Sequence, residues 1–351
     1  MRPSAELPAP AEAVRVAVDL LGGDGSPASV ISGVITAVRS DPYLTVSLVG
    51  PQELSRQGLV DAGDVADRVE IVSATQVVDM DEHPVDGVRD KDDATVCVAA
   101  DLLSDGSVDA MVSIGSTGAV MAASIFSLGL LPGLTRPALT VTLPAASGEV
   151  VLLDVGANVD TSPAVLAQHA LLGAAYAQGR LGMAEPKVGL LTIGSEAGKG
   201  DATRRAAFDL LGRLPIRFVG NVEGDQVLRG TTADVVVTDG FSGNILLKGM
   251  EGTYALLGAL LEERLGGAGS ELRSAYAQAT AHLHPDRAAG ALLLGLDGLV
   301  VVGHGASSPA AVASCIGQAT GAVRRQALPG LRSALAALIP GTSTSLAEAT
   351  P

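Results

Sequence analysis

Tryptophan is absent from this chain of 351 residues, and only four tyrosines and four phenylalanines accompany its many Ala, Val and Leu residues. Few aromatic platforms are present for stacking bases, and a net charge of −15 would repel a phosphate backbone, so nucleic acid is excluded as a partner. An anionic ligand would have to meet a local group of basic side chains or backbone amides. Cysteine is scarce too: Cys97 and Cys315 stand among small and apolar residues, with no C-x-x-C pair and no zinc-ligand spacing. They read as buried reduced thiols of a cytosolic protein, and no metal is expected. Uninterrupted apolar runs of membrane length are also lacking. Asp109 and Arg136 enclose no charge, but IGSTG, Ser124, Ser127, Gly129 and Pro132-Gly133 break the stretch into a buried strand, a glycine turn and a packed helix. The opening MRPSAELPAPAEA has neither the basic flank nor the apolar core of a signal peptide. Residues 1–13 and 336–351 are expected to be disordered tails around an α/β catalytic domain at 14–335.

What the chain has in quantity is short apolar runs that end in glycine. The first is VAVDLLGGDG at 16–25, in which Val14, Val16 and Val18 suit a buried strand. Gly22 and Gly23 allow a sharp turn there, with backbone N–H groups directed at an anion. Similar runs recur at 45–51, 109–118, 150–158, 187–200, 216–224, 233–244 and 297–308, with helical spacing between them at 28–38, 94–103 and 202–211. Strands alternating with helices predict a mostly parallel sheet covered on both faces, with ligands held beyond the strand ends. A (β/α)₈ barrel would place the same turns at one mouth, so the alternation by itself leaves both architectures open. Residues 250–284 break the pattern and predict a helical hairpin around a GGAG turn, projecting as a dimer contact.

Several loops carry groups suited to chemistry. GSEAGKGDATRR (194–205) imitates a phosphate-binding loop, with the spacing one residue short and Gly200 where Ser or Thr should stand; Lys199 is flanked by glycines ahead of a helix. In DGFSGNILLKG (239–249), Asp239 ends an apolar run and Asn244 opens the next helix. Asn244 also replaces the last glycine of a G-x-S-x-G elbow, which argues against an acyl-serine. His304 lies between glycines in VVVGHGASS, a setting for proton transfer or hydrogen-bond donation. IGSTGA supplies Ser116, Thr117 and Gly118, and LLDVGANVD supplies Asp154, Asn158 and Asp160 around a further turn.

Taken together, D-x-x-G-G-D-x-x-P at 19–27, STGAxM at 116–121, LPGLTRPAL at 131–139, LDVGANVD at 153–160, IGxExxKG at 193–200, GNVEG at 220–224, DGFSGNxLLK at 239–248 and GHGASS at 303–308 resemble one family. It is that of the acyl-acyl carrier protein:phosphate acyltransferases of bacterial phospholipid synthesis, the PlsX type, and the likeness runs from about Val14 to about Thr320. The resemblance implies a three-layer αβα sandwich similar to isocitrate and isopropylmalate dehydrogenases. It also implies a reaction in which inorganic phosphate attacks a long-chain acyl-acyl carrier protein to give acyl phosphate and free carrier protein, with no cofactor. Further implications are a homodimer, a cytoplasmic protein, peripheral contact with the inner face of the membrane, and a downstream glycerol-3-phosphate acyltransferase as a functional partner.

On this reading phosphate sits against Gly22, Gly23, Ser116, Thr117, Gly118 and Lys199, with Asp19, Asp24, Asn158 and Gly200 completing the binding loops. Asn244 and His304 orient the thioester carbonyl and Asp239 positions one of them. The chain departs from the family in Leu20-Leu21, in Ser116, in the acidic Asp90, Asp92 and Asp93 beside Arg89 and Lys91, and in a GGAG tip without bulky apolar residues. Arg204, Arg205, Arg264 and Arg273 become the alternative carrier-docking groups. Competing readings are a short-chain phosphate acetyl- or butyryltransferase using acyl-coenzyme A, a metal- and NAD-dependent dehydrogenase, and a non-catalytic scaffold for lipid enzymes.

Overall fold

Val16 and Val18 point to one side of the first strand and Ala17 to the other, and all three are fully buried, which only a sheet covered on both faces allows. Each such Val or Leu contributes roughly 1.5–3 kcal/mol on burial. The computed structural model describes residues 12–23, 25–265, 274–275, 289–305 and 307–338. The turn and nearly all of the second arm expected for the hairpin lie outside these residues, as do Asp24 and most of both expected tails.

Eleven described strands build one open sheet, which separates it from the barrel. They are β1 (Val14–Asp19), β2 (Leu44–Gly50), β3 (Val69–Ser73), β4 (Ala110–Ser113), β5 (Ala138–Ala145), β6 (Gly148–Leu153), β7 (Lys187–Leu191), β8 (Arg217–Val222), β9 (Val235–Val237), β10 (Ala291–Leu294) and β11 (Val300–Val302). Their order is β3-β2-β1-β4-β11-β10-β5-β6-β9-β7-β8. The first five in this order are mutually parallel, and so are the last four. Between them β10 and β5 are each antiparallel to both neighbours, so the two halves run in opposite directions.

That inversion decides where the loops meet. Ser113 pairs with Val302 and Val302 with Ala291, while in the adjacent row Leu292 pairs with Thr140 and Thr140 with Leu153. The last residues of β4 and β11 and the last residue of β6 thus lie within one row of each other. Carboxyl ends of both halves converge at mid-sheet instead of sharing one edge, as a wholly parallel sheet would have required.

Helices Pro27–Ser40, Pro163–Leu181, Pro309–Arg324 and Ala327–Leu338 cover one face; Thr95–Ser104, Thr117–Leu128 and Gly240–Leu265 cover the other. Three of them start alike. Ser26, Ser162 and Ser308 each cap a first turn through the hydroxyl, and a proline follows whose fixed φ and missing N–H suit that position. The first arm of the expected hairpin belongs to Gly240–Leu265, a helix that begins ten residues earlier than the apolar stripe suggested.

Candidate functional site

β1 ends at Asp19, which is fully buried. Its carboxylate accepts hydrogen bonds from the Ser113 hydroxyl (2.6 Å) and from the N–H groups of Leu21 (3.2 Å) and Gly22 (3.1 Å). Burial, opposed by these uncharged donors, raises its pKa above the ordinary carboxylate value. The first amides of the turn therefore face Asp19 and not a ligand, which corrects the opening expectation: Asp19 braces the loop from beneath. The glycines are needed for closeness. A Cβ on Gly22 would fall 2.3 Å from an Asp19 oxygen, and one on Gly23 would fall 2.6 Å from Ile114. The following Gly25 N–H donates to the Gly305 carbonyl (3.1 Å), joining this loop to the one that carries His304.

After β4, Ser116 occupies the N-cap of helix Thr117–Leu128 without bonding its own helix through the hydroxyl. The first N–H groups of that helix, on Thr117, Gly118 and Ala119, have no intrahelical acceptor and carry the positive end of the helix dipole. Ser116, Thr117 and Gly118 are all half-buried. Past β11, His304 is exposed on a loop closed by the Ser307 amide and hydroxyl, both of which donate to its carbonyl.

In the other half, Asp154 beyond β6 is a second buried brace. It accepts from the backbone N–H groups of Leu139, Gly156, Ala157 and Asn158 and from the Asn158 amide (2.7 Å). Asn158 also donates to the Pro137 carbonyl (2.8 Å) and is buried, so its amide holds the loop and is spent there.

Asp239, beyond β9, differs in having a cation. Arg204 donates to it, to the Ser242 hydroxyl (2.8 Å), to the Leu191 carbonyl (3.0 Å) and to Asp201. Burial works to raise the Asp239 pKa, but the Ser242 N–H and the Arg204 charge outweigh it and hold the carboxyl below its ordinary value. Arg204 was expected as an exposed docking group; its side chain is 14% exposed and fully engaged. Arg273 lies outside the described residues.

Lys199 stands half-exposed on the loop after β7, with Glu196 at 4.0 Å. Gly200 follows at φ +96, where a Cβ would press on the Arg204 side chain at 2.9 Å. Asn244 lies one turn along the helix that Asp239 introduces, and a Cβ on Gly156 would touch its Oδ1 at 4.0 Å.

A cavity of about 1070 Å³ joins the two sets of loops. Thr117, Gly303 and His304 line it from one half, and Gly156, Gly240 and Asn244 from the other. Leu139, Val141, Leu143, Leu247, Met250 and Tyr254 provide an apolar wall. Lys199, Asp239, Ser116 and the Gly22-Gly23 turn are not on this wall: Asp239 stands one residue behind it, and Lys199 is held in the loop that Arg204 ties to Asp239. Arg204 is the participant that sequence reasoning misassigned. Its signal was present in Asp201 and Arg204, an N-cap and its third residue, immediately after a strand-end glycine turn.

Fold and cavity define an open α/β protein with a cavity of polar and apolar lining between two sheet halves. Among solved structures, a phosphotransacetylase from Streptococcus pyogenes is similar in fold, with TM-score 0.58, 18% identity and coverage of 90% of this chain and 94% of that one. So is a 4-hydroxythreonine-4-phosphate dehydrogenase from Klebsiella pneumoniae, with TM-score 0.54, 13% identity and coverage of 91% and 100%.

Residues 14–329 match the family model described as fatty acid synthesis protein, and the chain belongs to that family. It is 41% identical over 309 residues to a phosphate acyltransferase of Desulfitobacterium hafniense, covering 86% of this chain and 92% of the relative. Against a phosphate acyltransferase of Bacillus anthracis the identity is 39% over 329 residues, with coverage of 92% and 98%.

Proposed function

We propose that the protein is a phosphate acyltransferase that moves a long-chain acyl group from acyl carrier protein to inorganic phosphate. The observation that carries this reading is the cavity: Thr117, His304 and Asn244 share it with a long apolar wall. A two-carbon acyl group would leave that wall bare, whereas a fatty chain fills it.

In the reaction a phosphate oxygen attacks the thioester carbon, the carbonyl oxygen gains negative charge, and the carbon–sulfur bond then breaks with its electron pair on sulfur. The thiolate takes up a proton, leaving acyl phosphate and free carrier protein. Phosphate is held at the open N-terminus of helix Thr117–Leu128, against the Ser116 and Thr117 hydroxyls and the Gly118 amide. Asn244 and His304 donate to the developing oxyanion, and holding both reactants in one cavity supplies the proximity term. Asp239 and Arg204 fix the helix start from which Asn244 projects. Lys199 draws phosphate toward the site from the neighbouring loop. The Gly22-Gly23 turn forms its outer rim; Asp19, Asn158 and Gly200 shape the loops.

A homodimer, a cytoplasmic location with peripheral contact at the inner membrane face, and hand-over to a glycerol-3-phosphate acyltransferase complete the proposal. No helix among the described residues is long and apolar enough to cross a membrane. The test is release of free thiol from palmitoyl-acyl carrier protein with hydroxylamine trapping of acyl phosphate, beside acetyl-coenzyme A. Phosphate-dependent turnover with the carrier-protein donor is expected. Turnover with acetyl-coenzyme A alone would move the protein to the short-chain class, and none with either would favour a scaffold.

A further inference from the structure

The same cavity has a second polar region, on the opposite face of β5. Thr140 and Thr142 point there, away from Leu139, Val141 and Leu143, toward Tyr176 of helix Pro163–Leu181. Two arginines line this end: Arg180 in the last turn of that helix, and Arg325 directly after helix Pro309–Arg324. Helix Ala327–Leu338, which follows Arg325, crosses helix Pro163–Leu181 at glycines: a Cβ on Gly179 would fall 2.8 Å from the Gly330 carbonyl carbon, so only bare backbones allow this crossing.

Charge makes the pair informative. The chain carries 38 acidic and 23 basic side chains, and the half-buried Lys91, Arg204 and Arg324 are each answered by a carboxylate, of Glu82, Asp239 and Asp41. Arg180 and Arg325 have no ion pair and no side-chain hydrogen bond among the described residues. The other cation on the wall, Lys248, is paired with Glu251 at 2.8 Å. Both guanidiniums act on the buried Tyr176 hydroxyl, which also has Thr142 beside it, and exposed Glu149 is the opposing charge that reaches it. Two unanswered forks next to hydroxyls, at the end of a cavity, are suited to a tetrahedral oxyanion that accepts paired N–H donors.

We propose that Arg180 and Arg325 form a second anion subsite, which takes a phosphate group at the end of the cavity remote from Thr117, His304 and Asn244. The group is either free phosphate or a phosphate ester on the arm of the acyl donor; the choice between these rests on the acyl-transfer reading, while the subsite itself does not.

Titration calorimetry of the full chain with inorganic phosphate and, separately, with pantetheine 4′-phosphate tests this, comparing wild type with R180Q/R325Q. Loss of two charged donors is expected to weaken at least one probe about tenfold or more. Loss confined to inorganic phosphate assigns free phosphate; loss confined to the ester assigns the donor's arm. Wild-type affinity should also fall as salt rises. Unchanged affinity for both probes overturns the subsite. R325Q alone, at an exposed position, guards against misfolding of the double variant and should give a smaller loss of the same kind. Thiol release measured separately on wild type keeps the two readings apart, since its absence would defeat acyl transfer and leave the binding result standing.

Discussion

The two halves of the sheet end their loops on buried carboxylates, yet Asp19 and Asp239 solve the same problem in opposite ways. Asp19 is answered by a hydroxyl and two amides, and its pKa is raised; Asp239 is answered by an amide and a guanidinium, and its pKa is lowered. Asp19, braced by neutral donors, holds its own turn against the neighbouring strand end at Ser113. Asp239, braced by an arginine, ties together distant segments, here the loop carrying Lys199 and the helix carrying Asn244. At these two positions the first half braces its loop with uncharged donors, and the second adds a charged side chain.

The largest effect is expected where that second half is closest. A Cβ on Gly243 would stand 1.9 Å from the Asp154 carbonyl oxygen, so Gly243→Ala should destabilise by about 3 kcal/mol or more and shift the urea midpoint accordingly. Arg204→Met comes next. It leaves Asp239 without its cation, and because both side chains keep slight solvent contact, a loss of about 2–3 kcal/mol is expected by denaturant unfolding. In the first half, Asp19→Asn should change stability far less.

A pH series sharpens the contrast. For Asp19 the folded pKa is raised, so the native state holds the proton more tightly than the unfolded chain, and its contribution falls as pH rises above the ordinary value of 3.8. For Asp239 the folded pKa is lowered, so its contribution is present above 3.8 and is lost as pH falls from there through the lowered value. Urea midpoints from about pH 3 to pH 7 should show Asp19→Asn removing a decline toward neutral pH and Asp239→Asn removing a loss in acid. If both variants shift the profile in the same direction, the electrostatic contrast is wrong. The smallest effect concerns the thiols. Burial pushes Cys315 up to about 12 and Cys97 up to about 11, so neither should alkylate in the native protein at neutral pH, while both react after unfolding.

Much of the fold was legible. Helices expected at 28–38, 94–103 and 202–211 lie at Pro27–Ser40, Thr95–Ser104 and Ala202–Leu211, and glycine turns do follow β1, β4, β6, β7, β9 and β11. The inversion at mid-sheet was not legible, because neither β5 nor the four-residue β10 between Gly290 and Gly295 was read as a strand, and an apolar run does not announce its direction. A signal existed in residues 139–143, where Leu and Val alternate with Thr ahead of the Ser147-Gly148 turn.

For the site, periodicity and glycine placement found Thr117, Asn244 and His304, which the cavity brings together. They could not tell a polar side chain facing a ligand from one facing its own loop. Asp19 and Asn158 are of the second kind because their partners, Ser113 and Pro137, arrive from distant sequence.

The central claim is that loops from both halves serve one reacting centre. A double-mutant cycle on His304→Asn and Asn244→Ala tests it most directly, with kcat for phosphate-dependent thiol release as the readout. Each substitution alone should lower kcat by about a hundredfold, and together they should cost clearly less than the product, because both act on the same oxyanion. Strict multiplication of the two losses would contradict a shared centre and separate the halves again.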